Sequence, residues 1–361
     1  SEELDDLITI INLPPPDLSE LTALIKKIAF NTDSDLSEQD LNELAIASSG
    51  LSEIKVKQVT AKALTQRGKI SKYDIKDILE EKKQVIARSE ILEFCESKSS
   101  QNDIGGLKLL KTWLKQRYRA FSKEAQEYGL PIPKGVLLVG PQGTGKSLTA
   151  KSISESWSMP LLRLDVGRLF SSLVGSSEAR TRETISRAEA MSPCILWIDE
   201  IDKGFGGDAR SDGGTSQRVL ASLLTWMAEK ESAVFVIATA NAIDKLPAEL
   251  LRKGRFDEIF FLDLPNSEER LSILELHLKK RRPSYSFPLS TIIDRTDGYS
   301  GAELEQAVIE GMHFSFSENR ELMEKDLIKA VSELVPLSRT AKEQIDLLKK
   351  WSSTGRARSA S

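Results

Sequence analysis

Cysteine and histidine are nearly missing from this chain of 361 residues, which has two of each. Cys95 and Cys194 lie far apart, and Cys194 sits in an apolar run that reads as a buried strand. A disulfide framework is thereby excluded and a reducing compartment expected. Neither His277 nor His313 falls in H-E-x-x-H, so this chain carries no zinc-protease motif. Long apolar runs are missing as well. Runs such as Ala233–Ala240 stop far short of the roughly 18 residues a membrane helix needs. Charge of one sign is not in excess: 50 Lys and Arg stand against 54 Asp and Glu, a net of −4. That balance gives no signal of a polyanion binder, and no RNA-recognition or zinc-finger motif occurs. A nucleic-acid remodeller would rest on the basic end alone, where Arg356 and Arg358 lie among serines. Such a short polar end is expected to be frayed and solvated. No signal peptide is found, and Ser1 opens in mid-pattern instead of with Met, so the true N-terminus is expected upstream.

What is present is ordinary in bulk, 40% hydrophobic and 29% charged, enough for two or three domains with buried cores. The patterns divide it into residues 1–90, 91–134, 135–265, 266–335 and 336–361. Residues 4–90 read as helical after a short opening strand. Residues 91–134 read as a polar helical linker that Pro131 and Pro133 break. Residues 135–265 alternate helical stretches with β-type runs at Gly135–Val139, Leu161–Asp165, Cys194–Asp199, Val234–Thr239 and Ile259–Leu262. That alternation predicts an α/β fold, a parallel sheet with helices on both faces. Residues 266–335 are helical, and 336–361 read as a last helix and a polar tail.

The first and last helical blocks resemble each other in order. Leu13-Pro14 with Leu21, Leu24 and Ile25 parallels Leu264-Pro265 with Leu271, Ile273 and Leu274. Ser49-Gly50-Leu51-Ser52 parallels Asp297-Gly298-Tyr299-Ser300, and Asp74-Ile75 parallels Asp326-Leu327. The repeated order of loop signals predicts a duplicated small helical domain.

Gly140-Pro141-Gln142-Gly143-Thr144-Gly145-Lys146-Ser147 fits G-x-x-x-x-G-K-[ST] between a strand and the helical stretch that opens at Leu148. Its glycines let backbone N–H groups converge on phosphate oxygens, and the helix N-terminus adds its dipole. Lys146 is expected to reach the β- and γ-phosphates and Ser147 to bind Mg²⁺. The apolar run Ile195–Ile198 ends in Asp199-Glu200, where a buried parallel strand emerges at its ligand-binding edge. Asp199 is expected to hold Mg²⁺ through water, and Glu200 to orient or deprotonate the attacking water. Asn241 ends the next strand at the same edge, placed to hold that water or contact the γ-phosphate.

Asp103-Ile104-Gly105-Gly106-Leu107, the phosphate loop, Asp199-Glu200, Asn241, Arg252-Lys253-Gly254-Arg255-Phe256-Asp257 and Gly298-Tyr299-Ser300-Gly301-Ala302-Glu303-Leu304 occur in this order. Together they resemble the AAA ATPase module over about residues 103–334. The whole chain is similar to AAA proteins encoded by hypothetical reading frames of algal plastids and their cyanobacterial relatives. The resemblance implies a P-loop large domain with a helical lid, ATP and Mg²⁺ as cofactors, and a ring, expected to be a hexamer, in the plastid stroma or cyanobacterial cytoplasm. It makes Arg252 and Arg255 arginine fingers that reach a neighbour's site. It places Ile104 and Gly105 on the adenine, His277 near the nucleotide as the lid histidine, and Gly301 and Ala302 at the lid face of the site. Residues 36–82 would be the lid of a preceding module, with Glu53 in place of small Gly301; an independent helical adaptor is the alternative.

Two segments depart from that family's pattern. Leu173-Val174-Gly175 stands where a central pore loop usually carries an aromatic residue, and offers less gripping area. Gly204–Gly214 would form a second pore loop, and Met227-Ala228-Glu229 replaces the usual inter-subunit signalling segment. The expected function is ATP-driven remodelling of a protein partner; a regulatory ATP-binding scaffold is the alternative.

Overall fold

The computed structural model describes residues 16–32, 34–86, 91–95, 105–170, 176–205 and 215–361. The expected opening strand and Leu13-Pro14 lie outside these residues. Two compact units are present, residues 1–90 with 184–193, and residues 91–183 with 194–361.

In the first unit, helices α1 (Leu18–Asn31), α2 (Glu38–Ser48), α3 (Glu53–Arg67) and α4 (Ile75–Ile86) enclose a small core. Leu21, Ile25 and Ala29 recur at every fourth position of α1 and are buried, as an amphipathic helix requires. Capping boxes set the starts of α1, from Asp17 and Glu20, and of α2, from Ser37 and Asp40. Ser52 caps α3, and Gly68, in the left-handed region, ends it. Arg67 meets the buried Asp74, which also accepts the Ser71 N–H at 2.7 Å.

The second unit holds a seven-stranded sheet in the order β1-β3-β4-β5-β2-β6-β7. Its strands are β1 (Leu92–Cys95), β2 (Gly135–Val139), β3 (Leu161–Leu164), β4 (Cys194–Ile198), β5 (Val234–Ala240), β6 (Glu258–Phe261) and β7 (Arg358–Ser359). All pairings are parallel except β1 on β3. Strands β2, β4 and β5 are buried at every residue, as a sheet covered on both faces demands.

Two expectations need correction. Residues 91–134 are not helical throughout, because they open with β1, whose Leu92 pairs with Leu164. Four residues on a sheet edge are too few for a period-2 pattern to register. The polar tail is not frayed. It ends in β7 beside β6, and the Ala360 N–H donates to Phe261 O at 3.1 Å. Ala360 is itself fully buried, its carbonyl accepting the Leu110 N–H. Backbone pairing is indifferent to side-chain polarity, so a serine-rich strand leaves little trace in composition.

After β6 come α5 (Ser267–Arg281), α6 (Ser290–Arg295), α7 (Gly301–Ser317) and α8 (Glu324–Glu333). This bundle repeats the devices of the first. Asn266 and Glu269 form the opening capping box. Gly298 and Gly50 both have positive φ, 76° and 82°, and Ser300 and Ser52 both cap the helix that follows. Arg320 pairs with buried Asp326, which accepts the Met323 N–H at 2.9 Å as Asp74 accepts that of Ser71. Among the described residues no helix is long and apolar enough to cross a membrane.

Candidate active site

Sheet order builds the site. Strand β5 lies between β4 and β2, so the loop leaving β2 and the turns leaving β4 and β5 share one edge. The phosphate loop runs from Gly140 into the helix Lys146–Trp157. Gly143 and Gly145 have φ of 75° and 87°, conformations that glycine adopts without strain. A Cβ on Gly143 would also lie 2.8 Å from Ser300 Oγ, and the Ala302 N–H donates to Gly143 O at 3.1 Å. The loop and the start of α7 are therefore in direct backbone contact.

Lys146 is buried and donates to Gly140 O at 2.7 Å and to Pro141 O at 2.6 Å. Burial lowers its ammonium pKa to about 8, against the pull of Asp202, Asp199 and Glu200. Ser147 Oγ donates to Asp199 Oδ1 at 3.1 Å, and Thr239 Oγ1 donates to the same oxygen at 2.8 Å. Arg163 stands 3.6 Å from Asp199 Oδ2. Thr239 Oγ1 also accepts the Glu200 N–H at 2.8 Å. Glu200 has φ of 49°, a left-handed conformation uncommon for a side chain of its size. Its Oε1 accepts from Asn241 Nδ2 at 2.9 Å, and its Oε2 is paired with Lys203. Buried Asp202 accepts the Asn241 and Ala242 N–H groups at 3.2 and 3.1 Å, which fastens the end of β5 to the turn that carries Glu200.

These groups open on a cavity of 520 Å³, a size that suits a small-molecule cofactor. It brings together Gly105, Gln142, Gly143, Thr144, Gly145, Lys146, Ser147, Leu148, Asp199, Glu200, Asn241, His277, Gly301 and Ala302. Pro141 supplies a carbonyl to Lys146 and to Thr144 Oγ1 instead of a wall. Arg252 and Arg255 do not line the cavity; Arg252 is exposed and Arg255 half-buried. Ile104, Leu173, Val174 and Gly175 lie outside the described residues, as does most of the second loop. A hydroxyl and a carboxylate 3.1 Å apart suit Mg²⁺, which takes one or two protein oxygens together with phosphates and waters. Among the described residues no cluster of three or more His, Cys, Asp or Glu could hold a metal by itself.

The family model described as "ATPase family associated with various cellular activities (AAA)" matches residues 136–264. A second, the second domain of SpoVK-like AAA ATPases, matches residues 19–89. The chain is 49% identical to the AAA domain-containing protein ycf46 of Pyropia yezoensis over 361 residues, 99% of this chain and 73% of the relative. The chain belongs to the AAA ATPase family. Within it, the ycf46 protein of Guillardia theta is also 49% identical, over 99% of this chain and 71% of its own length. The ATP-dependent zinc metalloprotease FtsH of Cyanidium caldarium is 40% identical over 210 residues, 56% of this chain and 34% of that protein. As a member of this AAA family the chain is an ATP-hydrolysing enzyme.

Several lining residues of this AAA site escaped the sequence reading. Thr239 is two residues before Asn241, hence on the same face of β5, and is the one polar residue of an apolar run. Glu269, Ile273 and His277 recur at every fourth position of α5, a stripe that one helical residue could have revealed. Glu305 follows Gly301 by four on α7 and lines the same cavity.

Proposed function

We propose that the chain binds MgATP in this cavity and works as a ring, a hexamer, that uses hydrolysis to remodel a protein partner. The observation that carries this is the meeting of Lys146, Ser147, Asp199, Glu200 and Asn241 at one sheet edge, while Arg252 and Arg255 stand away from the cavity of their own subunit. Guanidinium groups so placed serve a nucleotide only from a neighbouring copy. Ser147 and Asp199 hold Mg²⁺, Lys146 and the loop N–H groups hold the phosphates, and Glu200 with Asn241 prepares the water. Gly105, Gly301 and Ala302 flank the nucleoside.

Residues 36–82 act as the lid of a preceding AAA module; the serine cap, glycine turn and Arg–Asp pair they share with residues 266–333 support this, as does the match of residues 19–89. The algal relatives support a place in the plastid stroma, with the cyanobacterial cytoplasm as the alternative. A regulatory ATP-binding switch is the second reading, favoured by Leu173 in place of an aromatic residue.

The test is turnover per subunit as protein concentration rises, with native mass measured alongside. A steep rise that follows assembly supports the ring, and turnover independent of concentration in a monomer removes it. A pH series tests the assignment of Lys146. Phosphate stabilises the ammonium and raises its pKa in the complex above the value of about 8 in the free protein. Below pH 8 the lysine is charged in both states, so affinity is flat. Above it, binding must take up a proton, and affinity falls by up to about tenfold per pH unit. Equilibrium titration between pH 7 and 9.5 reads this slope, and Lys146→Arg, which does not titrate there, gives none.

A further inference from the structure

Two charged side chains on the lid lie outside the roles assigned so far. Glu305, on α7, lines the nucleotide cavity. Its Oε1 accepts from Arg281 on α5 at 2.5 Å, which leaves Oε2 as the acceptor open to a ligand. Arg281 also meets His277 Nδ1 at 3.1 Å. The same His277 Nδ1 lies 3.5 Å from Glu305 Oε1, so Arg281 and His277 both gather at that one carboxylate oxygen. The cavity thus has three chemically distinct regions. Gly105, Leu107 and Ile273 provide an apolar wall, Gly143 to Ser147 provide donors and a cation, and Glu305 provides an anionic acceptor. Glu269 and Asp263 also line the cavity, but Glu269 is engaged by the Leu107 and Asn266 N–H groups and Asp263 by the Leu264 N–H and Lys349. A purine fits the first and a triphosphate the second. What remains of a nucleotide is the ribose, whose vicinal hydroxyls are donors that a carboxylate accepts.

We infer that Glu305, held in place by Arg281, recognises the ribose hydroxyls and selects ribonucleotides over deoxyribonucleotides. Arg281 has a second effect, because it neutralises a carboxylate that would otherwise repel the triphosphate in the same cavity. The Glu305 side chain is 40% exposed, so its hydrogen bond is worth the lower end of the range for charged acceptors, about tenfold in affinity.

This inference rests on the cavity being the nucleotide site, and the experiment separates the two. Equilibrium binding of ATP, 2′-deoxyATP, 3′-deoxyATP and the purine riboside triphosphate lacking the 6-amino group is measured for the wild-type chain, Glu305→Ala, Arg281→Ala and Lys146→Ala. The wild type is expected to bind ATP about tenfold tighter than at least one deoxy analogue. Glu305→Ala is expected to bring that ratio to one by weakening ATP while sparing the analogue. Arg281→Ala weakens every nucleotide and lowers the ratio. The inference is overturned if the wild type binds ATP and both deoxy analogues equally, if Glu305→Ala weakens all ligands alike, or if it erases discrimination only against the riboside lacking the amino group. Should Lys146→Ala bind ATP as the wild type does, the cavity reading itself fails, whatever Glu305 does.

Discussion

Replacing Glu200 by glutamine will leave ATP binding within a fewfold of wild type and cut turnover by about 10²–10⁴-fold, the range that one positioned acid or base contributes. The substitution is close to isosteric. Asn241 Nδ2 can still donate to the side-chain oxygen it now meets at 2.9 Å, and Thr239 Oγ1 still accepts the main-chain N–H of residue 200. Neither the strand end nor the left-handed backbone at this position has reason to move. What disappears is the capacity to accept a proton from water, together with the charge that pairs with Lys203. ATP should therefore stay bound and the assembled ring should be longer-lived. Phosphate release at saturating ATP, with equilibrium binding of the same preparation, checks both halves. Wild-type turnover in Glu200→Gln would end the assignment of water activation to this carboxylate. A lost affinity would mean that Glu200 acts in binding instead.

The parts of this site that were legible in the sequence are those whose chemistry forces residues to be contiguous. A loop that wraps a phosphate needs its glycines and lysine at fixed spacing, and an acid pair at the edge of a buried strand stands out against the apolar run before it. The structure sets both around one cavity with Asn241. The α/β alternation was legible for the same reason, since strands buried on both faces are continuously apolar. What could not be read depends on distant pairing or on backbone alone. Glu269 accepts the Leu107 N–H across 162 positions, and Ser361 Oγ donates to the same carboxylate oxygen. Arg163 reaches Asp199 only because β3 lies beside β4. Strands β1 and β7 are short edge strands held by main-chain bonds, to which composition is nearly blind. Lys203 meets Glu200 because a 3₁₀ turn follows an unusual φ, and neither the turn nor the dihedral has a sequence signature here.

Removing both Arg252 and Arg255 will lower turnover by about 10³-fold or more, yet the loss will be repaired by mixing with a second inactive variant. The doubly substituted subunit keeps its own Lys146, Asp199 and Glu200, because neither arginine lines the cavity they share. The Glu200→Gln subunit keeps its arginines but lacks the base. In the proposed ring, either variant alone leaves every interface defective in one component. Mixed, some interfaces pair an intact Glu200 from one copy with intact arginines from the next, and those turn over. Lysine at 252 and 255 should not substitute, since an ammonium lacks the planar fork that bridges two phosphate oxygens. Steady-state hydrolysis of the two variants, separately and in equal mixture after exchange of subunits, reads the outcome directly. Arginines that acted within their own subunit would leave the mixture no more active than the mean of its two components.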